Sequence, residues 1–238
     1  MECLDLKMHS LYKSYNRDVF NTYIIHLPMH RKSLEMAERC LQTCNSVGQK
    51  AELFEGFDGT DGDKENIKIP VSLKNQSWLK WLKVTDHFQS ASEIAVSLSH
   101  IALWVKCMEV DAPIVILEHD AVMVKPYKIH KYYNAISYLG SKEQLSVDSL
   151  PTIPAHSSIN KNWNFINRAH AYCIDPSTAN KLFVNVLERG IFESADVMIM
   201  CDSVAIIQDG FYAFDKDDGF TTQRQRKGIN DHRSMENE

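Results

Sequence analysis

Apolar and polar positions along the chain follow two periods, and each switch between them marks an element. Val19-Phe-Asn-Thr-Tyr-Ile-Ile-His-Leu27 is dense in β-branched and aromatic residues and stops at Pro28, which predicts a strand. Leu34, Ala37, Leu41 and Cys44 then recur at helical spacing within residues 31–47. Ala51-Glu-Leu-Phe-Glu-Gly-Phe-Asp-Gly59 reads as a short strand running into Gly/Asp turns, and residues 60–75 read as loop. Ser90-Ala-Ser-Glu93 matches a capping box, in which the two side chains satisfy each other's free backbone N–H, and it predicts a helix through about Val110. The continuous apolar run from Pro113 to Leu117, closed by Glu118-His119-Asp120, fits a strand covered on both faces. Ala169-His-Ala-Tyr-Cys-Ile-Asp175 is strand-like, Pro176 suits the first position of a helix ending at Gly190, and Val204-Ala-Ile-Ile207 is a last strand.

Strand alternating with helix predicts an α/β sandwich. No repeat and no Pro/Gly/Ser linker divides the chain, so residues 1–238 read as a single domain with a polar arm (1–17) and a polar basic tail (222–238). At 238 residues with 44% hydrophobic side chains, the chain can build a substantial core, which excludes disorder as its main state. The six cysteines form no CxxC pair and lie mostly in apolar runs, which predicts buried thiols in a reducing compartment. Cys40 and Cys44 share a helix face, but no second ligand pair accompanies them to make a zinc site. The N-terminus lacks the basic start and apolar core of a signal peptide, and no apolar run reaches membrane-spanning length. The expected location is therefore cytoplasmic, or the host cytoplasm for a phage protein.

The strand that ends in Glu118-His119-Asp120 must deliver those charges to the sheet's carboxyl edge, where open α/β sheets place ligands. Period-two alternation would turn Glu118 and Asp120 to one side and His119 to the other. Two carboxylates on one side stay charged at low cost only around a cation, and oxygen ligands suit Mn²⁺ or Mg²⁺. A strand that simply surfaces into a turn at Asp120 would show the same pattern. In the preceding helix, Ser97, His100 and Trp104 share a face and would line a cleft, with Leu98, Ile101 and Val105 toward the sheet. Taken alone, a histidine such as His100 is more often a hydrogen-bonded structural group than a catalytic one.

Ser92-Glu-Ile-Ala-Val-Ser-Leu-Ser-His-Ile-Ala-Leu-Trp104, followed by Ile116-Leu-Glu-His-Asp-Ala-Val122, resembles glycosyltransferase family 25, the lipopolysaccharide-biosynthesis and collagen-galactosyltransferase group. Its members carry an E-I-G-C-x-x-S-H-x-x-x-W helix followed by I-L-E-D-D. Weaker similarities are Tyr23-Ile-Ile-His-Leu27, Phe57-Asp58-Gly59, Tyr138-Leu-Gly140, Ala171-Tyr172-Cys-Ile, Ala179-Asn-Lys-Leu182 and Ala195-Asp196-Val197, so the similarity covers about residues 19–210. The resemblance implies a GT-A-like, Rossmann-like fold with a mixed, mostly parallel sheet flanked by helices. It also implies a nucleotide-sugar donor, UDP-linked by expectation, and a metal bridging the donor's diphosphate to Glu118, His119 and Asp120. By the same resemblance, Tyr23, His26, Asp58, Ser99 and His100 would bind the donor, while Asp196 and His100 would be the catalytic groups, Asp196 as proton acceptor. His119 replaces the middle acid of E-D-D, His26 stands where Asn is usual, and Pro28 replaces the acid after it.

Charge bears on the acceptor. The total of 26 Lys plus Arg against 31 Asp plus Glu gives −5, which at first sight disfavours a polyanionic partner. Six acids between Glu52 and Glu65, set against Lys64 alone, account for that whole excess, so the rest of the chain is formally neutral. Lysines interleave with aromatics at 74–83, 125–133 and 161–168, where Trp163 and Arg168 are the expected acceptor contacts. Trp78 and Trp81 would equally suit one buried helix turn with lysines solvating its outside. A saccharide or glycolipid such as lipopolysaccharide is the leading acceptor, and 5-hydroxymethylcytosine in DNA is the alternative. A nucleotide- or glycan-binding protein without turnover is a reading of a different class.

Overall fold

The computed structural model describes residues 15–16, 20–85, 90–130, 134–140, 153–154, 166, 169–199, 204–208 and 210–216. Its strands are β1 (Tyr15–Asn16), β2 (Asn21–His26), β3 (Ala51–Glu55), β4 (Ile114–Glu118), β5 (Ala121–Met123), β6 (Ile129–His130), β7 (Ala135–Tyr138), β8 (Ile153–Pro154), β9 (Ala171–Ile174), β10 (Ala205–Gln208) and β11 (Ala213–Asp215). The helices are α1 (Arg31–Ser46), α2 (Ala91–Glu109), α3 (Pro176–Arg189) and the single turn α4 (Ala195–Met198), with 3₁₀ turns at Val71–Leu73 and Ser77–Trp81.

Helix ends form where the local chemistry permits. At α2 the capping box closes in both directions: Glu93 N–H donates to Ser90 Oγ at 3.3 Å, and Ser90 N–H donates to Glu93 Oε2 at 3.2 Å. At α3, Asp175 accepts from the N–H groups of Ser177 and Thr178, Pro176 occupies the first position, and Gly190 ends the helix at φ 80°. The central strands are paired β3-β2-β4-β9-β7-β10-β8 in one seven-stranded sheet. The pairs β3/β2, β2/β4 and β7/β10 are parallel, while β4/β9, β9/β7 and β10/β8 are antiparallel. Five strands (β3, β2, β4, β7, β10) therefore run one way, and β9 and β8 run against them. Two-stranded ribbons β1/β6 and β5/β11 complete the pairing.

Period two along β4 sorts the core into two layers. Ile114 and Ile116 join Tyr23, Tyr172 and the α2 and α3 side chains Trp104, Leu182 and Phe183 on one face. Val115 and Leu117 join Ile24, Cys173 and the α1 side chains Ala37, Cys40 and Cys44 on the other. Each of these β4 side chains is fully buried, contributing about 1.5–3 kcal/mol by leaving water. The sandwich of helices on both faces of a mixed sheet is the α/β architecture the pattern predicted. Cys40, Cys44, Cys107 and Cys173 are buried free thiols, as expected; Cys3 and Cys201 lie outside the described residues. Among the described residues no helix is long and apolar enough to cross a membrane.

The face that α2 turns to the sheet differs from expectation. Ser97, His100 and Trp104 are buried toward the core, as Ile101 is by expectation, whereas Leu98 and Val105 are partly exposed. The polar stripe can face inward because its groups find hydrogen-bond partners there, which removes the cost that would otherwise keep them at the surface.

Candidate functional site

Strand β4 ends at Glu118, whose N–H donates to His170 O at 2.9 Å, and His119 and Asp120 form a turn. Strand alternation stops there, so the expectation that Glu118 and Asp120 share one side and His119 the other does not hold. Glu118 faces α2, where Oε1 receives His100 Nε2 at 3.2 Å. His119 faces α1, where Nδ1 meets Ser33 Oγ at 3.1 Å, and Ser33 Oγ also accepts the Leu27 N–H at 2.9 Å. Asp120 also lies toward α1, close enough for its charge to act on the buried Cys40 thiol.

Behind Glu118 runs a chain of hydrogen bonds with one consistent direction. Trp104 Nε1 and His100 Nδ1 both lie 2.9 Å from Tyr172 Oη. An indole N–H can only donate, so the Tyr172 oxygen accepts from Trp104; with a neutral His100 whose Nε2–H serves the acceptor-only Glu118 carboxylate, Nδ1 is the acceptor of the Tyr172 proton. The imidazole then carries its proton on Nε2 and donates it to Glu118. The His100 and Tyr172 rings also stack, centroids 5.7 Å apart and 19° from parallel. Burial alone would raise the Glu118 carboxyl, but the His100 hydrogen bond, with His119 and His170 nearby, outweighs it and holds the group below the usual carboxylate range. Burial pushes the Tyr172 phenol well up, which keeps it a neutral donor.

His26, at the carboxyl end of β2, is buried, and its Nδ1 has no hydrogen-bond partner among the described residues. Burial lowers its pKa against the opposing charge of Glu55. The ends of β2 and β4 are neighbours, with Ile25 in register with Glu118, so His26 and the acids line one sheet edge. Tyr23, by contrast, is a core residue packed edge-on against Phe54. Ser99 is also buried: its Oγ donates to Ala95 O at 2.8 Å and accepts the Phe57 N–H at 2.9 Å.

Asp58 is a clasp within the loop that follows β3. Oδ1 takes the hydroxyl and the N–H of Thr60 at 2.6 and 2.9 Å, and Oδ2 lies 3.1 Å from His30 Nε2 and 3.5 Å from Lys68 Nζ. Burial opposes ionisation, yet the Thr60 and His30 hydrogen bonds win and lower the carboxyl to about 2. Gly59 lets this loop lie on the start of α2: a Cβ there would stand 2.3 Å from Ala91 O, and Ser92 Oγ donates to Gly59 O at 3.1 Å.

Asp196 sits in α4 on the same side of the sheet as His100 and Glu118, half-exposed, with Oδ1 accepting from Ser194 Oγ at 2.5 Å and Val197 N–H at 3.0 Å. Ser97 fastens that segment to α2 by donating to Glu193 O at 3.2 Å. Trp163 and Arg168 lie outside the described residues.

The structure thus brings together His26, Glu118, His119 and Asp120 at one edge and places His100 behind them; Tyr23 and Ser99 are buried in the core, and Asp58 is held within its loop. Glu118, His119 and Asp120 make no ready cage: among the described residues no three His, Cys, Asp or Glu side chains gather for a metal. Because Glu118 turns to α2 and Asp120 to α1, the two carboxylates would meet a hard divalent ion only beyond the strand end, with its remaining oxygens taken from substrate phosphates and water. Tyr172 and Ser33 were missed as supports because their partners lie 72 and 86 residues away in sequence, beyond any local spacing. A family model, Glycosyltransferase family 25 (LPS biosynthesis protein), matches residues 20–198, a span holding every one of these groups. No curated protein matches the chain.

Proposed function

The chain belongs to glycosyltransferase family 25, and from that premise we propose that it transfers a sugar from a nucleotide-sugar, a UDP-sugar, to a hydroxyl of a saccharide or glycolipid acceptor of the lipopolysaccharide kind. The observation that supports this most is the Glu118 carboxylate, held ionised and aimed at the carboxyl edge by a fully buried relay inside the matched span. The donor would lie along the ends of β2 and β4, where His26 Nδ1 is buried with no hydrogen-bond partner among the described residues. Asp120 and Glu118 would be the residues to hold Mn²⁺ or Mg²⁺. When bound, that ion supplies neutralisation of the charge that builds on the leaving group.

The chain's own residues divide the remaining work. His100, with both ring nitrogens engaged and no exposed surface, positions Glu118 and does not meet the substrate itself. Asp196 takes the proton of the acceptor hydroxyl as its oxygen bonds to the anomeric carbon, while the bond to the diphosphate breaks and its electron pair leaves with the nucleotide. The test is nucleoside diphosphate release from a panel of nucleotide-sugars, with oligosaccharide, glycolipid and hydroxymethylated DNA offered as acceptors and product mass as readout. Mass gain on a saccharide or glycolipid is expected; mass gain on DNA alone would overturn the acceptor class, and no donor consumption would overturn the reading as a whole.

A further inference from the structure

Residues 69–85 contain no Asp or Glu and three lysines, directly after the acidic stretch 52–65. The segment is anchored from within. Trp78 is buried edge-on against Phe183 at 6.2 Å, and Leu73, Leu79 and Leu82 pack against the core. Its outward side is nevertheless apolar: Val71 is 75% exposed, Trp81 59%, Val84 47% and Ile69 40%. Trp78 and Trp81 occupy the same 3₁₀ turn, yet Trp78 is core while Trp81 faces solvent, so the expectation of both in one buried turn holds for Trp78 alone. Lys74, Lys80 and Lys83 of the same segment are exposed and have no ion-pair partner among the described residues.

Four large apolar side chains held in water and three exposed lysines without an ion-pair partner among the described residues call for a partner that is apolar and anionic at once. A nucleic acid would meet the lysines and could stack on Trp81, but it offers nothing to Ile69, Val71 and Val84. The boundary of an anionic bilayer offers phosphates at the depth of the lysine heads and acyl chains to the aliphatics, with an indole at the level between. The position also fits. Ile191 N–H donates to Lys83 O at 2.6 Å and Thr85 N–H to Ile191 O at 3.0 Å, so this surface is joined to the strip of chain that leads into Asp196.

We propose that the outward side of residues 69–84 is a docking surface for an anionic lipid bilayer, which would present a lipid-borne acceptor to the Asp196 side of the site. The presentation of the acceptor rests on the glycolipid reading above; the docking itself does not. The test uses the full chain without donor or acceptor, sedimented with vesicles of phosphatidylglycerol and phosphatidylcholine or of phosphatidylcholine alone. The wild type is expected to bind the anionic vesicles, to be released by salt, and to show a blue shift of tryptophan emission on binding. Replacing all three lysines (Lys74→Gln, Lys80→Gln, Lys83→Gln) should weaken binding on the order of 100-fold. Trp81→Ala should remove most of the blue shift. Thermal unfolding of each variant at the wild-type temperature verifies that the surface, not the fold, was changed. Equal partitioning onto neutral and anionic vesicles, wild-type binding by the lysine-free variant, or preferential retention on single-stranded DNA would each overturn the proposal. Failure here leaves sugar transfer untouched, and failure of sugar transfer leaves vesicle binding untouched, so the two readings fall separately.

Discussion

His100 Nε2 stands 3.2 Å from Glu118 Oε1 and joins the middle of helix α2 to the last residue of strand β4. The other nitrogen is fixed at 2.9 Å by Tyr172, so the imidazole has no freedom to rotate, and the carboxylate is set by groups that lie deep in the core. The site is rigid because its support is part of the hydrophobic layer.

Removing that support should cost turnover more than binding. His100→Ala is expected to lower kcat about 10–100-fold, as loss of an orienting partner commonly does, with a smaller change in KM for the donor. His100→Gln, which can still donate to Glu118, should recover part of the loss. Steady-state kinetics of the two variants measures this, and equal damage in both would assign His100 to packing alone.

Tyr172→Phe keeps the ring stack and deletes only the hydroxyl. It leaves the Trp104 N–H and His100 Nδ1 buried without their partner, a cost of about 1–3 kcal/mol. For a chain of this size each kcal/mol lowers Tm by about 2–4 °C, so calorimetry should record a fall of several degrees.

Helix α2 and strand β4 were legible because their signals are local: a closed capping box for one, an apolar run ending in charges for the other. Strands β5, β7 and β11, at Ala121–Met123, Ala135–Tyr138 and Ala213–Asp215, were not: they lack the bounded apolar runs that marked the equally short β9 and β10, and they become strands through distant partners. The acidic strand end was legible as a site, but its geometry was not. A two-residue turn after Glu118 redirects His119 and Asp120 toward α1; the sequence left such a turn open beside a continued strand, because Glu118-His119-Asp120 fits both and its spacing does not choose between them. The inward direction of His100 was equally hidden, because it depends on Tyr172 on a strand far along the chain.

Acid stability should carry the mark of Asp58. Its carboxyl is lowered from 3.8 to about 2, so the ionised form is favoured by the fold; this stabilisation is complete above the unfolded value and is lost as pH falls from about 4 through about 2. At neutral pH it amounts to about 2 kcal/mol. Asp58→Asn should therefore destabilise the protein at pH 7, and the gap to wild type should narrow on titration to pH 2, as followed by denaturant unfolding at each pH. A gap that widens toward acid would contradict the clasp.

Gly59→Ala places a methyl group 2.3 Å from the Ala91 carbonyl oxygen, a backbone atom that cannot swing aside. The loop or the start of α2 must move, at about 1–3 kcal/mol. Gly62→Ala is the comparison. Its added Cβ would meet nothing within 4 Å, and only the backbone strain at φ 80° would oppose it, so the two unfolding curves should separate clash from strain.

The central claim is that the acids at the end of β4 serve sugar transfer. Its most direct measurement is nucleoside diphosphate release and product mass for wild type and Asp120→Asn, side by side, on the donor panel with saturating divalent cation. The account predicts turnover by the wild type and a loss of roughly 100-fold or more in the variant, with an unchanged unfolding temperature. Turnover by Asp120→Asn at the wild-type rate would contradict it.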